Sequence, residues 1–245
     1  MTDCLVALVT GANKGLGKEV ARQLAQRQMT VLMGSRELAR GTDAAAELLA
    51  DGIQVEPVQI DVTDPASVDA VAARLQRDHG RLDVLINNAG TIVEAPAAEV
   101  NAAQMRQIFD VNVFGVVTTI GTLLPLLRAS REPRIVNVAS TTASLTLSSG
   151  GTDFGGDASQ RLAYTTSKTA LNMLTIQYSQ AFKRDPGLCK IRINSAAPGY
   201  TATDLTHHRG TRSVGEGARV IVALATLPDD GPNGGFFNDQ GPLPW

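Results

Sequence analysis

Cysteine is nearly absent from this chain: Cys4 and Cys189 are the only two. They stand far apart, in apolar or strand-like segments, and read as reduced core residues rather than as a disulfide. Charge of one sign is lacking as well, the formal net charge being −2. That leaves no basic footprint for nucleic acid, and no block of like charge forms a tail or a polybasic membrane patch. No apolar run approaches the length needed to span a bilayer. The N-terminus has no cationic region followed by a long apolar stretch, so no secretory signal is expected. Together these absences predict a cytoplasmic protein. His207 and His208 are adjacent and lack the helical spacing of a metal pair, so they read as part of a solvated loop and no metal site is expected.

The 245 residues, 43% of them hydrophobic, suffice for one sizeable core and fit one large α/β domain. Short apolar runs at 5–9, 30–33, 54–60, 84–86, 134–138, 191–195 and 235–237 predict strands. Between them, 16–27, 44–49, 68–76, 105–127, 163–182 and 214–227 carry helical spacing with few breakers. The strand runs show little polar alternation, which implies burial on both faces, as in a parallel sheet covered by helices. The alternation predicts an α/β, doubly wound parallel sheet of about seven strands with helices on both faces. No linker or repeat divides residues 1–245. One stretch, 141–161, breaks the rhythm. It is rich in Ser, Thr and Gly and holds Asp153 and Asp157. A loop of that length inside a compact domain is functional or disordered.

Directly after the first apolar run comes TGANKGLG, Thr10 to Gly17. Gly11, Gly15 and Gly17 allow a tight exit from a strand, close approach of backbone to phosphate, and close packing of the following helix. That helix points its free N–H groups and positive dipole end at a diphosphate. Lys14 is not needed for that task and reads as a countercharge for a further anion. At the end of the second strand, where an NAD site usually carries an acid, the sequence is VLMGSR, ending in Arg36. An arginine there can pair bidentately with a ribose 2′-phosphate. Lys14 and Arg36 at one corner predict NADP(H).

AYTTSK places Tyr164 and Lys168 on one helix face. A free phenol, with a pKa of about 10, is a poor acid–base catalyst at neutral pH. A cation about 4 Å away, at an effective dielectric of about 20, favours the phenolate by about 4 kcal/mol, or about three pKa units. Such a neighbour would bring the hydroxyl near neutrality. Taken alone, the pair also fits an ordinary surface contact.

TGxxxGxG at Thr10–Gly17, NNAG at Asn87–Gly90, the serine closing RIVNVAS at Ser140, YxxxK at Tyr164–Lys168 and the dipeptide Pro198-Gly199 occur in that order. The ordered set resembles the short-chain dehydrogenase/reductase family over almost the whole chain, most closely its NADPH-dependent carbonyl reductases. The resemblance implies a single-domain Rossmann-like fold, the N-terminal part binding a dinucleotide and the C-terminal part carrying catalysis and substrate. Tyr164 is implied as general acid toward a carbonyl oxygen and as base in the reverse direction. Ser140 would hydrogen-bond that oxygen. Lys168 would acidify the tyrosine and hold the nicotinamide ribose. Asn112, in DVNVFG, matches the family's asparagine that holds a water in the proton relay.

For the cofactor, the resemblance implies the GANKGLG turn (Gly11, Asn13, Lys14, Gly15, Leu16, Gly17) and Arg36. Asp61 and Val62 would lie at the adenine, and Asn88, Ala89 and Gly90 along the ribose and diphosphate. Tyr164, Lys168, Pro198, Gly199, Thr201 and Thr203 would pass the nicotinamide. Read alone, Asp61 or Asp64 could simply cap the helix after Pro65, and NNAG could be a strand-end turn. The stretch between Ser140 and Tyr164 is longer than in compact family members and shorter than the insertion of similar carbonyl reductases. It is expected either as a wall beside the substrate or as a disordered loop. The partner implied is a small carbonyl or alcohol substrate, and a homodimer, a homotetramer and a monomer all fit the resemblance. The rival readings are a noncatalytic nucleotide sensor or scaffold, and an NAD-linked alcohol dehydrogenase or epimerase on the same fold.

Overall fold

The computed structural model describes residues 4–245. Eight strands form one sheet, in the order β3-β2-β1-β4-β5-β6-β7-β8. They are β1 (Val6–Val9), β2 (Thr30–Ser35), β3 (Glu56–Gln59), β4 (Val84–Asn87), β5 (Arg134–Val138), β6 (Arg192–Ala196), β7 (Phe236–Asn238) and β8 (Gly241–Pro242). All neighbours pair in parallel except β7 and β8, which close an antiparallel hairpin. The first seven are the strands expected from the apolar runs. The eighth, two residues long, is too short to leave a periodic signal.

Successive residues of a strand point to opposite faces, and both faces are filled here. Ala7 and Val9 of β1 join Val31 and Met33 of β2 against α1 (Gly15–Ala25), α2 (Leu38–Ala50) and α8 (Val214–Ala225). Val6 and Leu8 join Leu32 and Val58 on the other face. There they meet α3 (Pro65–Asp78), α5 (Gly115–Ala129) and the long α7 (Leu162–Arg184). Each fully buried leucine in these layers contributes about 2–3 kcal/mol. This two-sided burial is why the strand sequences run apolar instead of alternating.

The helical stretch 102–129 is not one regular helix. α4 (Ala102–Phe109) passes through a π-helical turn, Asp110–Phe114, into α5. By length and composition this stretch could cross a bilayer, which corrects the expectation that no run is long enough. Half of it is buried inside the protein, and α5 packs on α3 as a core helix. A second correction concerns the cysteines. Both are free but exposed: Cys4 precedes β1, and Cys189 lies in the turn after α7. Val6 and Ile191, two residues further on in each case, reach the core; the cysteines do not.

The 141–161 segment is built. It contains a 3₁₀ turn (Thr141–Ala143), the short α6 (Leu145–Ser149) and a second 3₁₀ turn (Ala158–Gln160). The carbonyl oxygens of Ser159 and Gln160 accept hydrogen bonds from Ala97 and Ala95, and Trp245 accepts one from Thr146. The Trp245 ring stacks on Phe236 with centroids 5.6 Å apart, so the C-terminus braces this segment. Strand order reverses between β1 and β4, which opens a crevice at the C-terminal ends of the strands.

Candidate active site

A single cleft of about 1450 Å³ runs along those strand ends. Gly11, Asn13, Lys14, Gly15, Leu16 and Gly17 line it, with Arg36, Asp61, Val62, Asn88, Ala89 and Gly90. Ser140, Tyr164, Lys168, Pro198, Gly199, Thr201 and Thr203 complete the set. Of the residues singled out in the sequence, Asn112 stands behind the wall: a Cβ on Gly90 would be 3.4 Å from its Oδ1 and 3.5 Å from Lys168 Nζ.

The glycine turn follows from local sterics. Gly11 has φ +62°, and a Cβ there would meet the Ala89 Cα at 2.9 Å. A Cβ on Gly17 would collide with the Asn88 amide, so α1 can lie close to the turn only because Gly17 has none. Asn88 uses its Nδ2 to donate to the carbonyls of Thr10 and Gly11, both at 2.9 Å. Thr10 Oγ1 in turn accepts from the Asn88 and Ala89 N–H groups. The NNAG side chain therefore braces the turn. Lys14, at the N-cap of α1, makes no side-chain cap, so the first N–H groups of α1 keep their donors for an anion. A turn with positive φ and no room for Cβ, ahead of an uncapped helix, fits a dinucleotide diphosphate.

At the adenosine end, Arg36 is exposed on the cleft, and Arg40, one helical turn on, lines it too. Arg40 pairs with Glu37 at 3.0 Å. Lys14 reaches the same cleft, but its ammonium is engaged by Asp204 in the loop after Thr203. Asp61 accepts from the Thr63 N–H and hydroxyl through Oδ1. The cap of α3 is Asp64, which accepts from Ala66. Thr201 is partly spent inside its own loop, where its Oγ1 donates to the Pro198 and Gly199 carbonyls; Thr203 stands at the N-cap of a 3₁₀ turn and its N–H donates to Thr206 Oγ1.

At the other end, Ser140 closes β5 and Tyr164 rises from the first turn of α7. Ser140 and the Tyr164 side chain line the same cleft, and Ser140 Oγ is hydrogen-bonded to Thr142 Oγ1 at 3.0 Å. Lys168 is 4% exposed and donates to the Val138 carbonyl at 2.7 Å. Its ammonium lies 5.8 Å from the centre of the Tyr164 ring. Asn112 is fully buried in the π-helical turn. Its amide makes three hydrogen bonds: Oδ1 accepts from Thr91 N–H, and Nδ2 donates to Thr91 O and Ser167 Oγ. π-helical turns occur frequently at functional sites.

The electrostatics correct one expectation. Burial pushes the Tyr164 phenol above its ordinary value, against the opposing influence of the Ser140 hydroxyl and the field of Arg161. The same burial lowers Lys168 to about 8. Desolvation disfavours phenolate and ammonium alike, and the lysine spends a short hydrogen bond on a backbone carbonyl. In this structure the phenol is held protonated instead of poised near neutrality.

Several wall residues had no sequence motif to mark them. Thr142 links Ser140 to Thr165, at 3.3 Å. Arg161, Tyr200 and Phe154 face the cleft from the 141–161 segment and the loop after β6. Behind Ser140 runs a buried polar ladder from Thr119 through Asn87, Asn137 and Thr175 to Ser195. His207 sits on the cleft rim, 3.7 Å from Glu94, and His208 hydrogen-bonds Asp204 at 2.8 Å.

Comparison with known proteins shows the family. The sequence model of the short chain dehydrogenase family matches residues 5–213. The chain is 35% identical to (-)-isopiperitenone reductase of Mentha piperita, over 94% of this chain and 95% of that one. It is 29% identical to carbonyl reductase (NADPH) 1 of Rattus norvegicus, over 100% of this chain and 99% of the relative. The solved structure of salutaridine reductase from Papaver somniferum superposes with a TM-score of 0.82 at 28% identity, covering 96% of this chain and 99% of that one.

Proposed function

The chain belongs to the short-chain dehydrogenase family, and from that premise we propose that it reduces a ketone or aldehyde to an alcohol with NADPH, reversibly. The observation that carries this reading is that Ser140, Tyr164 and Lys168 share one cleft with the glycine turn and Arg36. Residues 1–245 would act as one domain, its N-terminal part holding the dinucleotide and its C-terminal part the substrate.

With its diphosphate held at the glycine turn, a reduced nicotinamide dinucleotide would supply the hydride. Ser140 hydrogen-bonds the substrate carbonyl oxygen. Tyr164 transfers its phenolic proton to that oxygen as the carbon gains the hydride, so C=O becomes CH–OH. A phenol kept protonated by burial suits the reducing direction, in which an acid is required. Oxidation needs the phenolate and is favoured only at higher pH. Lys168, charged, stabilises the phenolate left behind and holds ribose hydroxyls. Asn112, its amide tied to Thr91 and Ser167, would hold the relay water.

Purified protein should consume NADPH with a panel of activated ketones and quinones, followed by loss of NADPH absorbance. The protonated lysine is the active form and its value is about 8. Rates should therefore be nearly level around pH 6.5 and fall as pH rises through 8. Tight NADPH binding with no turnover on any carbonyl would replace this reading with the sensor.

Asp204 competes with the cofactor phosphate for Lys14 and adds a like charge to its corner. Both partners are substantially exposed, so the pair is weak and screened by salt. Asp204→Asn should tighten NADPH binding about two- to fivefold at low salt, with the gain shrinking at high salt. An unchanged NADPH dissociation constant in a low-salt titration would remove Lys14 from the phosphate site.

A further inference from the structure

Four ionisable side chains among the described residues are buried, and three have an account. Asp83 is paired with Arg81, Arg134 with Asp229, and Lys168 serves the catalytic group. The fourth, Arg161, is 8% exposed and forms no ion pair. Its Nη1 donates to the Gly155 carbonyl at 2.9 Å, and the Tyr200 ring lies 5.7 Å from its guanidinium carbon. The Asp157 carboxylate feels the charge but is spent on Ser159 and Gln160. A guanidinium does not shed its proton to escape burial. A permanent positive charge is therefore held in the cleft wall with donors to spare.

The surroundings are shaped to hold it there. Gly155 and Gly156 both have positive φ, and a Cβ on Gly156 would fall on the Arg161 Nη2. Arg161 is the N-cap of α7, three residues before Tyr164, so the two side chains are neighbours on the helix. Tyr164, Ser140, Tyr200 and Phe154 share the cleft with it. A planar fork of donors beside the reacting hydroxyl matches a carboxylate in bidentate geometry.

We propose that Arg161 anchors a carboxylate of the substrate, and that the preferred carbonyl compounds are short oxo acids. The proposal rests on the reductase reading. The spacing of Arg161 and Tyr164 puts the carboxylate a few bonds from the reacting carbonyl, which selects 2-, 3- and 4-oxo acids. Neutral ketones would leave the guanidinium buried without a counterion and bind less well.

The test uses the whole protein with NADPH. 2-Oxobutanoate, acetoacetate and levulinate are each compared with their methyl esters as the ratio of kcat/KM. In wild type at least one acid should exceed its ester tenfold or more. Arg161→Met should cut that acid-to-ester ratio at least thirtyfold, and Arg161→Lys should keep part of it. The ratio does not depend on the fraction of folded enzyme, so a variant that folds poorly still gives an answer. Esters equal to or better than every acid in wild type would overturn the proposal. So would an unchanged ratio in Arg161→Met, which would leave Arg161 as a clamp for the 153–157 turn. No NADPH consumption with any acid, ester or ketone would overturn the reductase reading and this inference together.

Discussion

Tyr164→Phe is expected to lower kcat for carbonyl reduction about a thousandfold, within the range of roughly 10²–10⁴ for a positioned general acid. The change removes one oxygen from a partly buried ring. Ser140 keeps Thr142 as a hydrogen-bond partner, so no buried polar group is orphaned and the fold should hold. NADPH affinity should fall less than tenfold, because the glycine turn and Arg36 are untouched. Steady-state kinetics beside a fluorescence titration of NADPH separate the two effects. A variant retaining more than a tenth of wild-type kcat would take proton transfer away from Tyr164. Equal losses in binding and turnover would mean that the cleft itself had been disturbed.

The second large effect is a change of cofactor preference. Arg36→Asp replaces a cation at the end of β2 with the acid that an NAD site carries there. A hydrogen bond to a charged group is worth about 1.5–3 kcal/mol, and the new carboxylate adds repulsion. The NADPH dissociation constant should rise about 100-fold or more, since about 1.4 kcal/mol corresponds to tenfold. NADH, which lacks the 2′-phosphate, should change by less than about threefold or tighten, on the same scale. Arg40, on the same side of the cleft, limits the loss and is the natural second substitution. Parallel weakening of both cofactors would show that Arg36 supports the pocket without reading the phosphate.

How much of this was legible depends on the range of the signal. A parallel sheet buried on both faces leaves continuous apolar runs, so β1 to β7 stand out. β8 does not, because a two-residue antiparallel partner needs no pattern of its own. The π-helical turn at 110–114 was hidden for a different reason. DVNVF has ordinary helical composition, and only the demands of Thr91 and Ser167 on the Asn112 amide show how tightly that turn is tied to its neighbours. The 141–161 segment reads as loop from its Ser, Thr and Gly content. It is ordered by contacts from outside itself, from Ala95, Ala97 and Trp245.

The order of TGxxxGxG, NNAG, Ser140 and YxxxK was enough to identify the family, and the same residues meet in one cleft. Each of those motifs works through backbone geometry or through residues a helical turn apart, and such constraints are written locally. Protonation was decided elsewhere. Spacing put a cation near a phenol and suggested an acidified tyrosine, whereas burial holds the phenol protonated and draws Lys168 down to about 8. Lys14 and Asp204 meet, and Arg161 is left without an ion pair, only because distant loops fold over one sheet edge. Desolvation and ion pairing depend on what surrounds a group in three dimensions, and neighbours in sequence do not encode that.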